Sequence, residues 1–224
     1  DLYDGMLDCL EEYSVALVGG DTVSSGTFFV TIAITGTTSS KILLRSNALP
    51  GDHIVVTGHL GSSAGGLKIL KSRAPSPSPM AHELIRSHVR PEPRVHVGQT
   101  LLAEGVKAAI DVSDGLVQDL AKICFASGVA AQLDAATIPM SPALTQCFLD
   151  EALTMALTGG EEYELLFTAS PNLVKRLIAI LPIQVTTIGE ILRGDPGNVE
   201  VLDSSGAQIS LDYRGWDHFR TIRR

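Results

Sequence analysis

The run Ala108-Ala109-Ile110-Asp111-Val112-Ser113-Asp114-Gly115-Leu116 decides how the rest of the chain is read. Three apolar residues predict a short strand, and the residues from Gly115 to Ser127 carry Leu116, Leu120, Ile123 and Cys124 at helical spacing before Gly128 stops them. Strand, acidic turn and helix therefore follow one another within 21 residues, from Ala108 to Gly128. Ser113 or Asp114 is placed to cap the helix. Asp111 is harder to explain as a cap. Two carboxylates and a hydroxyl in one strand-to-helix turn repel each other unless a cation lies among them.

Outward from this point, strands and helices alternate. Strands are predicted at Ile54 to Thr57, Ala108 to Ile110, Ala131 to Leu133, Tyr163 to Thr168 and Thr186 to Glu190. Helices are predicted from the glycine-rich turn at Leu60 to Lys71, then over Met80 to His88, Val97 to Glu104, Gly115 to Ser127, Leu144 to Leu149 and Leu173 to Leu181. The expected fold class is α/β, an α+β sandwich. Upstream, Leu2, Met6, Leu10 and Tyr13 predict an amphipathic helix, Val15 to Val18 a short strand, and the β-branched Thr27 to Thr37 a strand buried on both faces. Arg73 to Pro79 is rich in proline and serine and reads as a loop.

Composition narrows the function. Of 224 residues 45% are hydrophobic, and 17 basic against 25 acidic side chains leave a formal net charge of −8. That balance opposes a nucleic-acid binder, whose affinity comes from clustered Lys and Arg. No apolar run is long enough to span a bilayer, so a soluble protein is expected. Cys9, Cys124 and Cys147 show no metal-binding spacing and read as small core residues in a reducing cytoplasm. Because it opens at Asp1 directly on a helical pattern, the chain is expected to be part of a longer protein.

Other candidates cluster at glycines. Gly19-Gly20-Asp21-Thr22 offers a close backbone approach and one hard oxygen ligand, or a plain turn. Gly159-Gly160 precedes Glu161, Glu162, Tyr163 and Glu164, and strand alternation would set Glu162 with Glu164 on one face and Glu161 with Tyr163 on the other. The turn Leu60 to Gly66 lacks the Lys-Ser or Lys-Thr ending of a phosphate loop, so its glycines are assigned to close helix packing. Arg45, Arg90 and Arg94 read as solvated surface cations, each also able to grip a phosphate.

Taken in order, these motifs resemble the thiamine-monophosphate kinase family, within the superfamily of aminoimidazole ribonucleotide synthetase and selenophosphate synthetase. The resemblance rests on Gly19-Gly20-Asp21-Thr22, Leu44-Arg45-Ser46 with Pro50-Gly51-Asp52, Val56-Thr57-Gly58-His59-Leu60-Gly61, Arg90-Pro91-Glu92-Pro93-Arg94, Ile110 to Leu116, Gly159 to Leu165, and Gly215-Trp216-Asp217-His218-Phe219. It implies Mg²⁺-dependent transfer of the ATP γ-phosphate to thiamine monophosphate, without a phosphoenzyme, in a cytoplasmic homodimer.

Carried over motif by motif, the resemblance makes Asp21, Asp111 and Asp114 metal ligands. Gly20, Asp21, Arg45 and Ser113 would bind nucleotide, and Glu161 and Trp216 the thiamine substrate. No side chain is assigned to catalysis beyond positioning metal and phosphate. Residues 1–40 would be the end of an N-terminal ATP-binding domain, and 41–224 a complete C-terminal α/β domain. The family's N-terminal half, which carries further metal-binding aspartates, has no counterpart here, so this chain alone is expected to show little kinase activity. Glu162 departs from the aspartate usual at that place. Three other readings stay open: a non-catalytic nucleotide- or thiamine-binding fragment, another superfamily member such as a selenophosphate synthetase-like enzyme, and, through Gly159-Gly160-Glu161-Glu162-Tyr163, a diguanylate cyclase.

Overall fold

In the computed structural model the described residues are 1–38, 41–72, 78–211 and 215–216. They fall into two compact units, Asp1–Thr37 and Thr38–Arg224. The loop expected at Arg73 to Pro79 lies mostly outside the described residues, as do Asp217, His218 and Phe219 of the tail motif.

The first unit contains one helix, α1 (Leu2–Glu12), none of whose residues is buried. The strands expected at Val15 to Val18 and Thr27 to Thr37 do not form. A strand satisfies its backbone through a neighbour, and no residue of this unit enters a ladder among the described residues. Phe28, Ile32 and Ile34 are accordingly exposed.

The second unit is built on β1 (His53–Thr57), β2 (Ala108–Asp111), β3 (Ala130–Asp134), β4 (Leu165–Ala169), β5 (Val185–Leu192) and β6 (Val199–Leu202), in the order β2-β4-β1-β5-β3-β6. Only β3 and β6 pair in parallel. Side-chain alternation divides the sheet between two cores. Ile54, Val56, Ile110, Leu166 and Ile188 face one side, where α5 (Leu116–Ser127) brings Leu116, Leu120 and Ile123 and α7 (Ala152–Thr158) brings Ala156 and Leu157. Val55, Ala109 and Phe167 face the other, under Val97 and Leu101 of α4 (Val95–Ala103) and Val174 and Leu177 of α8 (Pro171–Ile180).

A third cluster packs Leu84 of α3 (Pro79–Val89) on Leu144 of α6 (Pro142–Cys147), beside α2 (Ser62–Ser72). Gly66 abuts the Leu84 carbonyl and Gly61 abuts Leu144 and the Ala156 backbone, so the glycines of this turn serve helix contact. Helix α7 and strand β6 were not expected from sequence, and α6 begins at Pro142 rather than Leu144 because Ser141 caps it through the Leu144 N–H.

Cys124 is buried among apolar groups, which pushes its thiol up to about 12. Cys9 and Cys147 are exposed, against the expectation of three core thiols. The first belongs to a helix with no buried face.

Candidate functional site

Antiparallel pairing of β2 with β4 sets Asp111 opposite Leu165, so the chain leaving β2 runs beside the chain entering β4. Residues 112–115 and 159–164 are consequently stitched together. Glu161 N–H donates to the Ser113 carbonyl at 2.9 Å, Tyr163 N–H to the Val112 carbonyl at 2.9 Å, and Val112 N–H to the Glu164 carbonyl at 2.8 Å.

Neither Ser113 nor Asp114 caps α5. The cap position is Gly115, whose φ of 131° is costly for any other residue and whose hydrogens face the Thr158 carbonyl. The orphan donors are satisfied from inside the helix. Asp119 Oδ2 accepts from the N–H groups of Ser113 (3.0 Å), Asp114 (2.9 Å) and Gly115 (3.1 Å). Asp119 is fully buried. Its Oδ1 receives Lys122 Nζ at 2.7 Å, and the same ammonium lies 2.5 Å from Asp114 Oδ2. The cation beside Asp114 and Asp119 is thus a lysine. Burial lowers the Lys122 pKa, but its hydrogen bonds to Asp114 and Asp119 and their charges outweigh this and raise it.

Beyond Gly160, Glu161 and Tyr163 take left-handed backbone conformations, with φ of 64° and 55°, and β4 starts only at Leu165. The strand expected from Tyr163 is therefore shortened. The pairing of side chains survives by another route, since Tyr163 Oη donates to Glu161 Oε2 at 3.0 Å. Burial, then the Glu161 hydrogen bond and charge, then the charges of Asp111 and Asp114 raise the Tyr163 phenol.

Glu162 and Glu164 turn inward. Glu162 Oε1 accepts the Ser63 N–H at 3.0 Å at the start of α2, so this glycine-rich helix start is filled by the protein's own carboxylate. Burial pushes Glu162 up to about 8, against hydrogen bonds from the backbone of Ser63, Ala64 and Gly61. Glu164 takes a two-pronged contact from Arg94, Nε at 2.9 Å and Nη2 at 2.7 Å, and a 2.5 Å hydrogen bond from Thr57 Oγ1. Arg94 is therefore not a solvated surface cation. Its pKa is raised, chiefly by the hydrogen bond to Glu164.

The tail completes the cluster. Trp216 N–H donates to the Asp114 carbonyl at 2.8 Å, and Gln118 Nε2 donates to the Trp216 carbonyl at 2.6 Å. Trp216 is 55% exposed, so it does not plug the core. Asp111, Ser113, Asp114, Glu161 and Trp216 are thus brought to one turn. Arg45 is not placed there. Leu44 bridges Ala108 at the start of β2, about 10 Å of strand rise from Asp111, and the Arg45 carbonyl meets Ser127 at the far end of α5. Gly20 and Asp21 are exposed in the first unit, where Asp21 Oδ1 accepts the Thr22 N–H at 2.8 Å.

Among the described residues no three His, Cys, Asp or Glu side chains converge as a metal cage. Asp111 and Asp114 still suit Mg²⁺, a hard cation commonly held by one or two carboxylates together with phosphate oxygens. Asp119, Lys122 and Gln118 were not anticipated. The available signal was Asp119 itself, a charge on the stripe that carries Leu116, Leu120 and Ile123.

Residues 50–202 match the family model for the AIR synthase related protein, C-terminal domain. A thiamine-monophosphate kinase of Escherichia coli O157:H7 is 40% identical over 225 residues, covering 97% of this chain and 68% of the relative. The chain belongs to the thiamine-monophosphate kinase family. Among solved structures, the thiamine-monophosphate kinase from Stenotrophomonas maltophilia K279a is 38% identical with a TM-score of 0.65, over 71% of this chain and 52% of that one. AaThiL complexed with AMPPCP and TMP is 30% identical with a TM-score of 0.69, over 80% of this chain and 55% of that one. The chain thus spans about two thirds of the curated family member and about half of the solved ones. Family membership accounts for the shared fold.

Proposed function

We propose that this chain is the larger part of a kinase that transfers the γ-phosphoryl group of ATP to thiamine monophosphate, yielding thiamine diphosphate and ADP. A phosphate oxygen of thiamine monophosphate forms the new bond to the γ-phosphorus as the bond to the β,γ-bridging oxygen breaks. The observation that carries this reading is the gathering of Asp111, Ser113, Asp114, Glu161 and Trp216 on one turn of a family member. The complex of AaThiL with AMPPCP, an ATP analogue, and TMP supports the pair of substrates.

In this reading Asp111 and Asp114 hold Mg²⁺, Ser113 binds the nucleotide, and Glu161 and Trp216 hold the thiamine moiety. Gly20, Asp21 and Arg45 are assigned to metal and nucleotide by the family resemblance alone. The bound ion neutralises phosphate charge, and transfer is then mostly a matter of positioning and electrostatics. Asp119 keeps the Ser113–Gly115 amides fixed, so the flanking carboxylates need little reorganisation. Residues 1–40 and 41–224 are assigned to the end of an ATP-binding domain and to the C-terminal domain, of a protein that works as a cytoplasmic homodimer.

The test is thiamine diphosphate formation from Mg-ATP and thiamine monophosphate. In a full-length enzyme carrying these residues, Asp111→Asn and Asp114→Asn should each lower kcat at least about 100-fold, the scale of losing an electrostatic contact to the transition state, with the melting temperature retained. Near-normal turnover in both variants would remove them from the site. Binding of both substrates without product would favour a non-catalytic module.

A further inference from the structure

Lys122 bridges two carboxylates that have different obligations. Asp119 Oδ2 is occupied by three backbone N–H groups and its Oδ1 by Lys122, so this carboxylate is fully used inside the fold. The Asp114 carboxylate has one acceptor, Oδ2, on the same ammonium at 2.5 Å. Asp114 is partly exposed, at 28% of its side chain, and Lys122 at 33%. A lysine carries a compact charge on a flexible four-carbon stem and can change acceptor without any movement of the helix. An ammonium already seated on Oδ2 opposes a second cation at the same carboxylate, so a divalent ion at Asp114 competes with Lys122 for it.

We propose that Lys122 is a positioning residue of this site: it is the resident cation of Asp114, holds that carboxylate in place while no ligand is bound, and surrenders Oδ2 to a divalent cation while keeping Asp119. The inference rests on the reading of Asp114 as a cation-binding carboxylate. It makes the affinity of the turn for the ion a competition between two positive charges, one built into α5.

Two measurements on the whole chain test it. The only tryptophan, Trp216, is bonded through its backbone to Asp114, so its fluorescence reports a Mg²⁺ titration. Acetylation by an amine-selective reagent, read by mass spectrometry, reports whether Lys122 is engaged, with the exposed Lys41, Lys71, Lys107 and Lys175 as internal references. The expected result is a saturable fluorescence change together with at least a five-fold rise in Lys122 acetylation and no change at the references. Lys122→Met should bind Mg²⁺ five- to ten-fold more tightly, and Lys122→Arg should stay near the parent.

Ion binding with unchanged Lys122 acetylation, and Lys122→Met within two-fold of the parent, would overturn the inference and leave Asp114 as a cation ligand. Binding by Lys122→Met when the parent shows none would support it. No ion effect in either protein would overturn both the inference and the reading of Asp114. If Lys122→Met does not fold, the acetylation of the parent chain decides alone.

Discussion

The carboxylate of Glu164 occupies the space in which a Cβ on residue 58 would stand. Gly58 also has a φ of 58°, in the left-handed region. Alanine there meets both obstacles, and the first would push Glu164 away from Arg94 and Thr57. Gly58→Ala should cost about 2–4 kcal/mol, combining a left-handed residue with an overpacked core. Thermal unfolding of the chain should show a drop of at least about 4 °C, at some 2–4 °C for each kcal/mol in a domain this size.

Arg94 and Glu164 form a largely buried pair, with side chains 23% and 8% exposed. Removing one partner leaves an uncompensated charge, whereas replacing both by apolar groups does not. Arg94→Met should therefore destabilise by about 3–5 kcal/mol, and Arg94→Met with Glu164→Met by clearly less than the sum of the single changes. A double-mutant cycle in denaturant measures the difference. Additivity would show that the pair is not coupled.

Glu162 gives the fold a pH dependence of unusual sign for a carboxylate. Its pKa is raised from 4.5 to about 8 by burial, so above the lower value the folded chain keeps a proton that the unfolded chain has lost. The contribution is complete below about pH 4.5, falls by about 1.4 kcal/mol per pH unit above it, and is gone once pH passes the folded value. Glu162→Gln retains an acceptor for the Ser63 N–H without the titration. Its melting temperature should therefore gain on that of the parent steadily between pH 5 and pH 8, and parallel curves would show that Glu162 ionises normally.

Trp216 separates substrate contact from packing. The residue is more than half exposed, so Trp216→Ala should change stability by no more than about 0.5 kcal/mol, as at other surface positions. In a full-length enzyme the same change should raise KM for thiamine monophosphate about ten-fold, the worth of one stacked aromatic and cation–π contact, and leave KM for ATP within two-fold. Equal rises in both constants would place Trp216 outside the thiamine site.

What could be read in advance followed the range of the forces involved. Strand β2 and helix α5 were legible because periodicity and a glycine stop are local signals, and so were the glycines of α2. The residues 27–37 misled, since a β-branched run becomes a strand only when another strand lies beside it. Strand β6 was missed because four residues alternating Val199, Glu200, Val201 and Leu202 are too short to stand out. At the turn, the acidic residues themselves were visible. Their counter-charge was not, because pairing Lys122 with Asp114 depends on where one helical turn places a side chain eight residues away. Arg94 and Glu164, 70 residues apart, lay beyond any local pattern.

Gln118 and Trp216 are separated by 98 positions. At synthesis rates of about 5–20 residues per second, roughly 5–20 s pass between the appearance of the turn that carries Asp114 and of the segment that covers its carbonyl. Within that interval Glu161 and β4, the partner of β2, emerge before Trp216, so the acidic turn can be assembled while the side that Trp216 covers stands open. Assembly of the turn thereby waits on Trp216, so a nascent chain halted before Gly215 would hold its acidic residues without the aromatic residue beside them.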